Sequence, residues 1–527
     1  MTLDFMTLNL AMRTAGWPVK RRFLQDVAKP EAAQGRVLER LCAMISRTDY
    51  GIAHGVKSTD RYEAFRDKLP IVRYQDIEPW LMRQRAGECS VLVDGRVKLY
   101  EPTSGSSGPS KLIPYNAALQ RTFHRMFLLW AGDIFQHVPL TTGKSYFSIS
   151  PAATAPAQTE AGRQIGLQDD SDYLSPLWRL WARRYMAASP DLKQVLDAER
   201  FREALALQLL ACEELEVISV WNASCLTVLF QWMITAQDRL LWLIARSGGK
   251  NMPSAQAKAL RYLRSPGDLH KLWPKLKLVS AWASGHARTS FDRLHDWLPH
   301  ATFQPKGLLA TECPVTIPWH AAEGFVPLIG DVFLEFEGED GRISLVHELQ
   351  IGVQYALVVS QPSGLYRYRL GDLVKVTHFY GATPCVDFVG RGGTCSDLVG
   401  EKLTDSFVTS VLAKVLPADN VFGVVVPVWP DNQAPRYRLL LDRGSCGASV
   451  SSDRLDAALA EAHHYRLARH LGQLAAPEVQ LVRDFEAVYI EFHRRRGMKI
   501  GDVKPQALVT ALDMSRGLIK SIGLGSV

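Results

Sequence analysis

Cysteine pairs with metal-binding or redox spacing are missing from this sequence of 527 residues. Its eight cysteines form no CxxC pair, and the closest two, Cys385 and Cys395, are ten residues apart. This spacing argues against a zinc ribbon and a dithiol redox motif. Scattered cysteines in a long chain are typical of small buried hydrophobic residues in a reducing compartment. We therefore expect a cytoplasmic protein.

A strong excess of charge of one sign is also missing, because the net charge is only +7. That charge allows attraction of a small polyanion but does not indicate a nucleic-acid-binding protein. Residues 1–34 lack an apolar core followed by a small-residue cleavage site, so we expect no signal peptide.

Long apolar runs are limited to residues 217–237, which carry no charge and could span a bilayer in length. The run contains polar residues such as Asn222 and Gln231, which are costly in lipid. We interpret it as a buried strand over 216–221, a turn at Asn222 and a core helix. A membrane span is the weaker interpretation.

The chain is too long for one hydrophobic core, and its patterns predict an α/β fold with more than one domain. Helices are predicted over residues 1–85, 116–137 and 190–265. A strand, a helix and a strand are predicted over 276–282, 287–298 and 302–309, and Asp94-Gly95 predicts a hairpin turn within 91–99.

Residues 325–390 alternate in the manner of strands, and the pattern changes after Gly390-Arg391-Gly392-Gly393. We place a domain boundary near Arg391, which gives domains of residues 1–390 and 391–527. The second domain is predicted to be α+β, with helices over about 452–471 and 483–496.

The strongest chemical signal is a loop rich in glycine and hydroxyl groups, Thr103-Ser104-Gly105-Ser106-Ser107-Gly108-Pro109-Ser110-Lys111. It follows a predicted strand over 97–100. Such a loop can surround phosphate oxygens with N–H and O–H donors, and Lys111 adds a positive charge. The spacing differs from GxxxxGK[ST]. A flexible surface linker is the alternative, but a linker need not end in lysine, so we favour a phosphate-binding loop.

This loop resembles the phosphate loop of the adenylate-forming superfamily, which includes acyl-CoA synthetases, adenylation domains and luciferase. Further segments resemble that superfamily's motifs in the expected order: Ala310-Thr311-Glu312, Tyr368-Arg369-Leu370-Gly371-Asp372, Gly390-Arg391 with Asp397 and Lys402, and Lys504 near the C-terminus.

Gly364-Leu365-Tyr366-Arg367-Tyr368-Arg369 is similar to a segment of the Gretchen Hagen family of acyl acid amido synthetases, and the resemblance covers about residues 35–510. The chain and its phosphate loop are shorter than in plant members, so it resembles a bacterial-type relative. The resemblance implies a large N-terminal domain with two sheets flanked by helices and a small β-barrel. It also implies a smaller, mobile α+β C-terminal domain.

The activity implied by the resemblance is ATP-dependent conversion of a small carboxylic acid to an acyl-adenylate, followed by amide formation with an amino acid. ATP and Mg²⁺ are the implied cofactors, and we expect a monomer that binds neither nucleic acid nor membrane. Nucleotide contacts are implied for Thr103, Ser104, Gly105, Ser106, Ser107, Gly108, Lys111, Thr311, Glu312, Asp372 and Arg391. Glu312 is the implied metal ligand, and Lys402 and Lys504 are the implied catalytic residues.

Each assignment has a structural alternative. Glu312 is also compatible with a helix cap or an ion pair, Asp372 with an ordinary turn, and Lys402 with a solvated face. Arg121, His124 and Arg125 are candidates for the acid pocket or are charges on a helix surface, and Trp221 and Trp282 line that pocket or belong to the core. For the whole chain, an acyl-CoA ligase and a catalytically silent carboxylic-acid-binding protein are the alternatives.

Overall fold

The chain folds into two compact units, each built from separate stretches of sequence. The first contains Met1–Gly143, Thr154–Tyr185 and Lys306–Val389, and the second contains Lys144–Ala153, Met186–Pro305 and Gly390–Val527. The computed structural model describes residues 3–103, 111–148, 157–166, 184–195, 197–246, 254–284, 287–391, 395–396, 398–399, 401, 403–416, 421–430, 434–443, 450–470, 474–498, 501 and 503–523. The division into domains 1–390 and 391–527 stays a prediction.

The helices match the predicted helical regions closely. In chain order they are α1 (Leu3–Ala28), α2 (Pro30–Ile45), α3 (Asp49–Ala53), α4 (Tyr62–Lys68), α5 (Tyr74–Arg85), α6 (Ala117–His137), α7 (Ala198–Ala211), α8 (Ser224–Thr235), α9 (Gln237–Arg246), α10 (Ser254–Arg261), α11 (Arg288–Trp297), α12 (Asp405–Val415), α13 (Ser452–Leu459), α14 (His463–His470), α15 (Phe485–Arg495) and α16 (Leu512–Ser521). The single helix predicted over about 452–471 is therefore two helices, α13 and α14.

The strands are β1 (Leu99–Pro102), β2 (Leu112–Tyr115), β3 (Ser145–Phe147), β4 (Ala157–Gln158), β5 (Gln164–Ile165), β6 (Val217–Asn222), β7 (Leu278–Trp282), β8 (Thr302–Pro305), β9 (Thr316–Trp319), β10 (Gly324–Pro327), β11 (Phe333–Glu337), β12 (Ile343–Leu345), β13 (Gln354–Gln361), β14 (Leu365–Tyr380), β15 (Thr383–Arg391), β16 (Cys395–Ser396), β17 (Leu403–Thr404), β18 (Gly423–Val428), β19 (Arg436–Asp442) and β20 (Glu478–Val482). The predicted α/β class is confirmed.

The first unit carries the hairpin and the strand-rich region of the chain. One sheet has the order β2-β1-β5-β4, and β9 pairs with β10. The region of residues 325–390, predicted to be rich in strands, contains a five-stranded sheet in the order β12-β11-β13-β14-β15. Its central strand β13 is buried over almost its whole length, which explains the run Ala-Leu-Val-Val-Ser in its sequence.

The second unit carries a parallel sheet in the order β3-β6-β7-β8. Parallel neighbours need a crossover connection. Helix α7 lies between β3 and β6, helices α8 to α10 lie between β6 and β7, and α11 lies between β7 and β8. The unit's C-terminal part contains the sheet β18-β19-β20 and its helices. This arrangement confirms the predicted strand–helix–strand succession, with strands and helix slightly shorter than predicted.

The apolar run 217–237 is confirmed as a buried strand and a helix, β6 and α8. Within the described residues, none of the helices combines the length and the hydrophobicity needed to cross a membrane.

The hairpin predicted over 91–99 is wrong. Residues 91–98 form no strand, although Leu92 and Val93 are fully buried. The side-chain oxygen of Gln84 accepts the backbone N–H groups of Leu92 and Val93 at 2.9 and 3.0 Å, and the Tyr366 hydroxyl donates to the Leu92 carbonyl at 2.7 Å. The alternating pattern suggested that these backbone N–H and C=O groups pair with a neighbouring strand. They are instead satisfied by hydrogen bonds to side chains. The strand begins at Leu99 instead.

Candidate active site

The loop of residues 104–110 connects two antiparallel strands. β1 pairs with β2 in a register that places Pro102 opposite Leu112, and the Thr103 N–H donates to the Lys111 carbonyl at 2.8 Å. Thr103 and Lys111 therefore form the base of the loop. The predicted phosphate-binding residues Ser104, Gly105, Ser106, Ser107 and Gly108 lie outside the described residues, and their role stays a prediction.

Lys111 lies between two tyrosines. Its amine is 3.4 Å from the hydroxyl oxygen of Tyr368 and 5.7 Å from the ring centre of Tyr74. The Tyr74 hydroxyl also accepts the Leu112 N–H at 3.1 Å. The base of the loop is thus fastened both to α5 and to the Tyr-Arg segment on β14.

Thr311 and Glu312 lie in a tight loop before β9. The Ala310 N–H donates to the Cys313 carbonyl at 3.1 Å. The Tyr115 hydroxyl at the end of β2 donates to the Thr311 carbonyl at 2.7 Å. Both Thr311 and Glu312 are half-buried. The loop is therefore held against the strand that leaves the glycine-rich segment.

Asp372 lies in an irregular part of β14. β13 and β14 pair Ala356 with Leu373 and Val358 with Arg369, so β14 has two extra residues in this interval. Gly371 has a φ of 88°, a value that glycine adopts without strain. Bulges of this kind redirect side chains next to functional sites. The Asp372 side chain is nearly fully buried, with 4% exposed.

The charges of Glu312 and Asp372 both act on one buried thiol, that of Cys313. Burial raises the pKa of Cys313 well above its usual value, and the negative charges of Glu312 and Asp372 raise it further. The thiol is therefore neutral at physiological pH. The Tyr115–Thr311 hydrogen bond joins the Thr-Glu loop to β2, and the contact of Lys111 with Tyr368 joins the same hairpin to β14. Lys111, Glu312 and Asp372 thus belong to one region of the first unit.

The remaining candidates belong to the end of β15 and to the second unit. Arg391 is the last residue of β15, and its side chain, like Lys402, lies outside the described part of the chain. Lys504 is exposed in a segment that is neither helix nor strand, and the proline that follows it disfavours helix there. Its amine is 4.9 Å from the ring centre of Trp282.

Sequence comparison identifies the family. A model of the GH3 (Gretchen Hagen) family N-terminal domain matches residues 19–303, which is more than half of the chain. The chain belongs to the GH3 family. A model of the GH3 central domain matches residues 325–391, the segment that contains β11 to β15.

Curated plant proteins are similar to this GH3 chain at low identity. The indole-3-acetic acid-amido synthetase GH3.8 of Oryza sativa subsp. indica is 23% identical over 96% of this chain and 94% of its own length. The indole-3-acetic acid-amido synthetase GH3.15 of Arabidopsis thaliana is 26% identical over 68% of this chain and 67% of its own.

Solved structures share the GH3 chain's fold. The acyl acid amido synthetase AtGH3.15 in complex with 2,4-DB superposes with a TM-score of 0.82 at 18% identity, covering 97% of both chains. A 2-hydroxyisobutyryl-CoA ligase in the postadenylation state has a TM-score of 0.54 at 12% identity, covering 95% of this chain and 94% of its own. The adenylate-forming fold expected from the sequence is confirmed.

Two arginines of the GH3 signature segment have structural partners that the sequence analysis missed. Arg367 is 4% exposed, has a φ of 48°, and forms an ion pair with Glu335 at 2.8 Å. Arg369 forms a bidentate ion pair with Glu337. The sequence contains a pattern that indicates these pairs: Glu-x-Glu on β11 and Arg-x-Arg on β14 have the same spacing. Alternate residues of a strand share a face, so the two glutamates can face the two arginines.

The candidates for the acid pocket in this GH3 chain have mixed outcomes. Arg125 forms an ion pair with Asp331 at 2.9 Å, and burial lowers the pKa of His124. Arg121 and Arg125 line a groove of about 360 Å³ together with Arg40. A role in acid binding stays a prediction for all three α6 residues.

Metal-binding clusters of His, Cys, Asp and Glu are absent from the described residues. His347-Glu348 begins an HExxH pattern but lacks its second histidine, and the Glu348 carboxylate has a structural role because it accepts the Leu345 N–H at 2.7 Å. A hard cation bound through substrate phosphates needs only one or two protein carboxylates, and the half-buried Glu312 fits that requirement.

Proposed function

We propose that this GH3 protein activates a small carboxylic acid with ATP and transfers the acyl group to the amine of an amino acid, releasing AMP and pyrophosphate. The observation that carries the proposal is that Lys111, Glu312 and Asp372 all belong to one compact unit of an adenylate-forming fold.

In the first step, the carboxylate oxygen of the acid attacks the α-phosphorus of ATP and pyrophosphate leaves. Both reactants are anions, so the protein must align them and balance their charge. The 104–110 loop holds the phosphates, and the Lys111 ammonium contributes positive charge at its base. Asp372 accepts hydrogen bonds from the ribose hydroxyls, and Arg391 supports the ribose.

Glu312 is the proposed ligand for Mg²⁺, which supplies charge neutralisation on the phosphate oxygens when bound. Thr311 precedes Glu312 in the chain, and the hydrogen bond from the Tyr115 hydroxyl to the Thr311 carbonyl holds this loop against β2. Because the Cys313 thiol is neutral, it adds no negative charge to those of the two carboxylates.

In the second step, the amino group attacks the carbonyl carbon of the acyl-adenylate, the C–O bond to phosphate breaks, and AMP leaves. We propose that the C-terminal segment changes position between the two steps about Gly390, Gly392 and Gly393, where glycine accommodates a large change of φ and ψ. Lys504 and Lys402 act on the phosphates in adenylation, and Lys504 has no part in aminolysis.

We further propose that the protein works as a cytoplasmic monomer without nucleic acid or membrane. The mild charge of +7 supports the absence of nucleic acid as a partner, and the scattered cysteines support the cytoplasmic location.

The test is a pyrophosphate-release screen of carboxylic acids, each assayed with pooled amino acids and, separately, with coenzyme A. We expect at least one acid to give release that depends on amino acid, with an amide as product. Release that depends on coenzyme A would favour the acyl-CoA ligase. Absence of acid-dependent ATP–pyrophosphate exchange across a broad panel would favour a catalytically silent acid-binding protein.

A further inference from the structure

Trp282 lies at the carboxyl end of an interior strand of the parallel sheet. β7 is flanked by β6 and β8, and Trp282 is its last residue. In open α/β sheets, ligands bind outside the carboxyl ends of the strands. The Trp282 side chain is largely buried, with 7% of the residue exposed, so its indole ring is held by its surroundings.

Lys504 reaches this ring from a well-anchored backbone. On either side of Lys504, Val503 and Pro505 are buried. The Gln506 N–H donates to the Tyr489 hydroxyl at 3.4 Å, and the Leu508 N–H donates to Asp405 at 2.9 Å. The backbone is thus fixed while the lysine side chain itself is exposed.

The contact between the two residues has the geometry of a cation–π pair. The Lys504 amine lies 4.9 Å from the indole ring centre, within the range at which a cation is attracted to the negative face of the ring. Tryptophan is the aromatic residue that binds cations best. A lysine side chain has many rotamers, so an attractive surface for its ammonium group selects among them.

We infer that Trp282 is a positioning residue for Lys504: its ring holds the ammonium group at the carboxyl end of β7 and so orients the lysine that the proposed function assigns to adenylation. This inference rests on the proposed function. It assigns Trp282 no contact with the reacting atoms. Trp282 affects the reaction only through Lys504. A change of Trp282 should therefore alter the rate of adenylation and leave the rate of aminolysis unchanged.

The kinetic test compares Trp282→Leu and Trp282→Phe in ATP–pyrophosphate exchange. A cation–π pair is worth roughly three- to thirtyfold in an equilibrium, so we expect kcat to fall by about that factor for Leu and by less for Phe. The KM for ATP and the aminolysis of a supplied acyl-adenylate should stay unchanged. In a Lys504→Ala background, Trp282→Leu should have no further effect.

A matched control is Trp242→Leu, because Trp242 is an exposed tryptophan in the same unit that also lies under a cation, Arg246, at 5.1 Å. We expect wild-type kinetics for this variant. Equal losses for Trp242→Leu and Trp282→Leu, or equal losses in both half-reactions for Trp282→Leu, would overturn the inference.

A second readout requires no substrate. After reductive ¹³C-methylation of the full-length protein, the dimethyl-Lys504 signal, identified by its loss in Lys504→Arg, should be shifted upfield by the indole ring. The shift should decrease in Trp282→Phe, and this variant carries the test if Trp282→Leu does not fold. An unshifted signal in the wild-type protein would overturn the inference. A shifted signal without acid-dependent exchange for any acid would instead contradict the proposed function.

Discussion

The amine of Lys111 lies 3.4 Å from the hydroxyl oxygen of Tyr368, and this contact joins the base of the glycine-rich loop to strand β14. Tyr368 is on the same strand as Asp372, ahead of the bulge that directs the Asp372 side chain. One strand therefore carries both the partner of the phosphate-loop lysine and the proposed ribose-binding carboxylate.

Removing the Lys111 charge should weaken ATP use. A hydrogen bond to a charged group contributes about 1.5–3 kcal/mol, so Lys111→Met should lower kcat/KM for ATP in pyrophosphate exchange by roughly ten- to a hundredfold. The matched control is Lys98→Met, because Lys98 is an exposed lysine near the same hairpin that donates to Gln120. Similar losses in the two variants would contradict a phosphate role for Lys111.

Replacing the Glu312 carboxylate should change the demand for Mg²⁺. Glu312→Gln keeps the shape but removes the negative charge that a hard cation requires, so the Mg²⁺ concentration for half-maximal exchange should rise about tenfold or more. The measurement is a Mg²⁺ titration at fixed ATP. Glu339→Gln, an exposed turn residue, should leave the titration unchanged. A titration equally unaffected by Glu312→Gln would exclude the proposed metal ligand.

The order of motifs, the helices and the strand–helix–strand succession could be predicted from the sequence because each depends on local pattern. The glycine-rich loop follows a strand, and the apolar run 217–237 contains the polar residues of a soluble strand and helix. These features need no knowledge of distant partners.

Long-range partners explain what the sequence did not reveal. Residues 91–93 have the composition of a strand, but Gln84 and Tyr366 bind their backbone groups. Tyr115 was not recognised as a support for Thr311, since 196 residues separate the two. Such contacts depend on the packing of whole elements, and spacing along the chain does not encode them directly.

The signature arginine Arg367 should matter for stability. Its buried guanidinium pairs with Glu335 and also donates to the Leu69 carbonyl at 2.7 Å. Arg367→Met leaves the Glu335 charge buried without its partner, and such changes cost about 3–5 kcal/mol. Urea denaturation should show this loss, and Arg367→Met combined with Glu335→Leu should recover part of it.

The exposed Arg342 in the turn before β12 provides the control for that experiment. Arg342→Met should change the free energy of unfolding by less than about 0.5 kcal/mol. If Arg367→Met were as mild, the ion pair with Glu335 would not be a structural requirement of this sheet.

Buried His493 should make stability depend on pH in mild acid. Burial, followed by the positive charge of Arg496, lowers the pKa of His493 from 6.5 to about 4. The unfolded state therefore binds a proton more readily than the folded state. The stabilisation is fully present above pH 6.5 and is lost as pH falls towards 4, by roughly 3 kcal/mol.

A His493→Gln variant lacks this titration. Between pH 6.5 and about 4 its free energy of unfolding should decline less steeply than that of the wild-type protein. Chemical denaturation at a series of pH values measures both slopes. Parallel slopes would show that His493 does not remain neutral in the folded protein.

The nucleotide site is tested most directly by a crystal structure of the full-length protein with AMP or a non-hydrolysable acyl-adenylate analogue. We predict the phosphate against the 104–110 loop near Lys111, the ribose hydroxyls on the Asp372 carboxylate, and Glu312 facing the phosphate. A nucleotide bound elsewhere, or one that touches the loop while Glu312 and Asp372 face away from it, would contradict the proposed site.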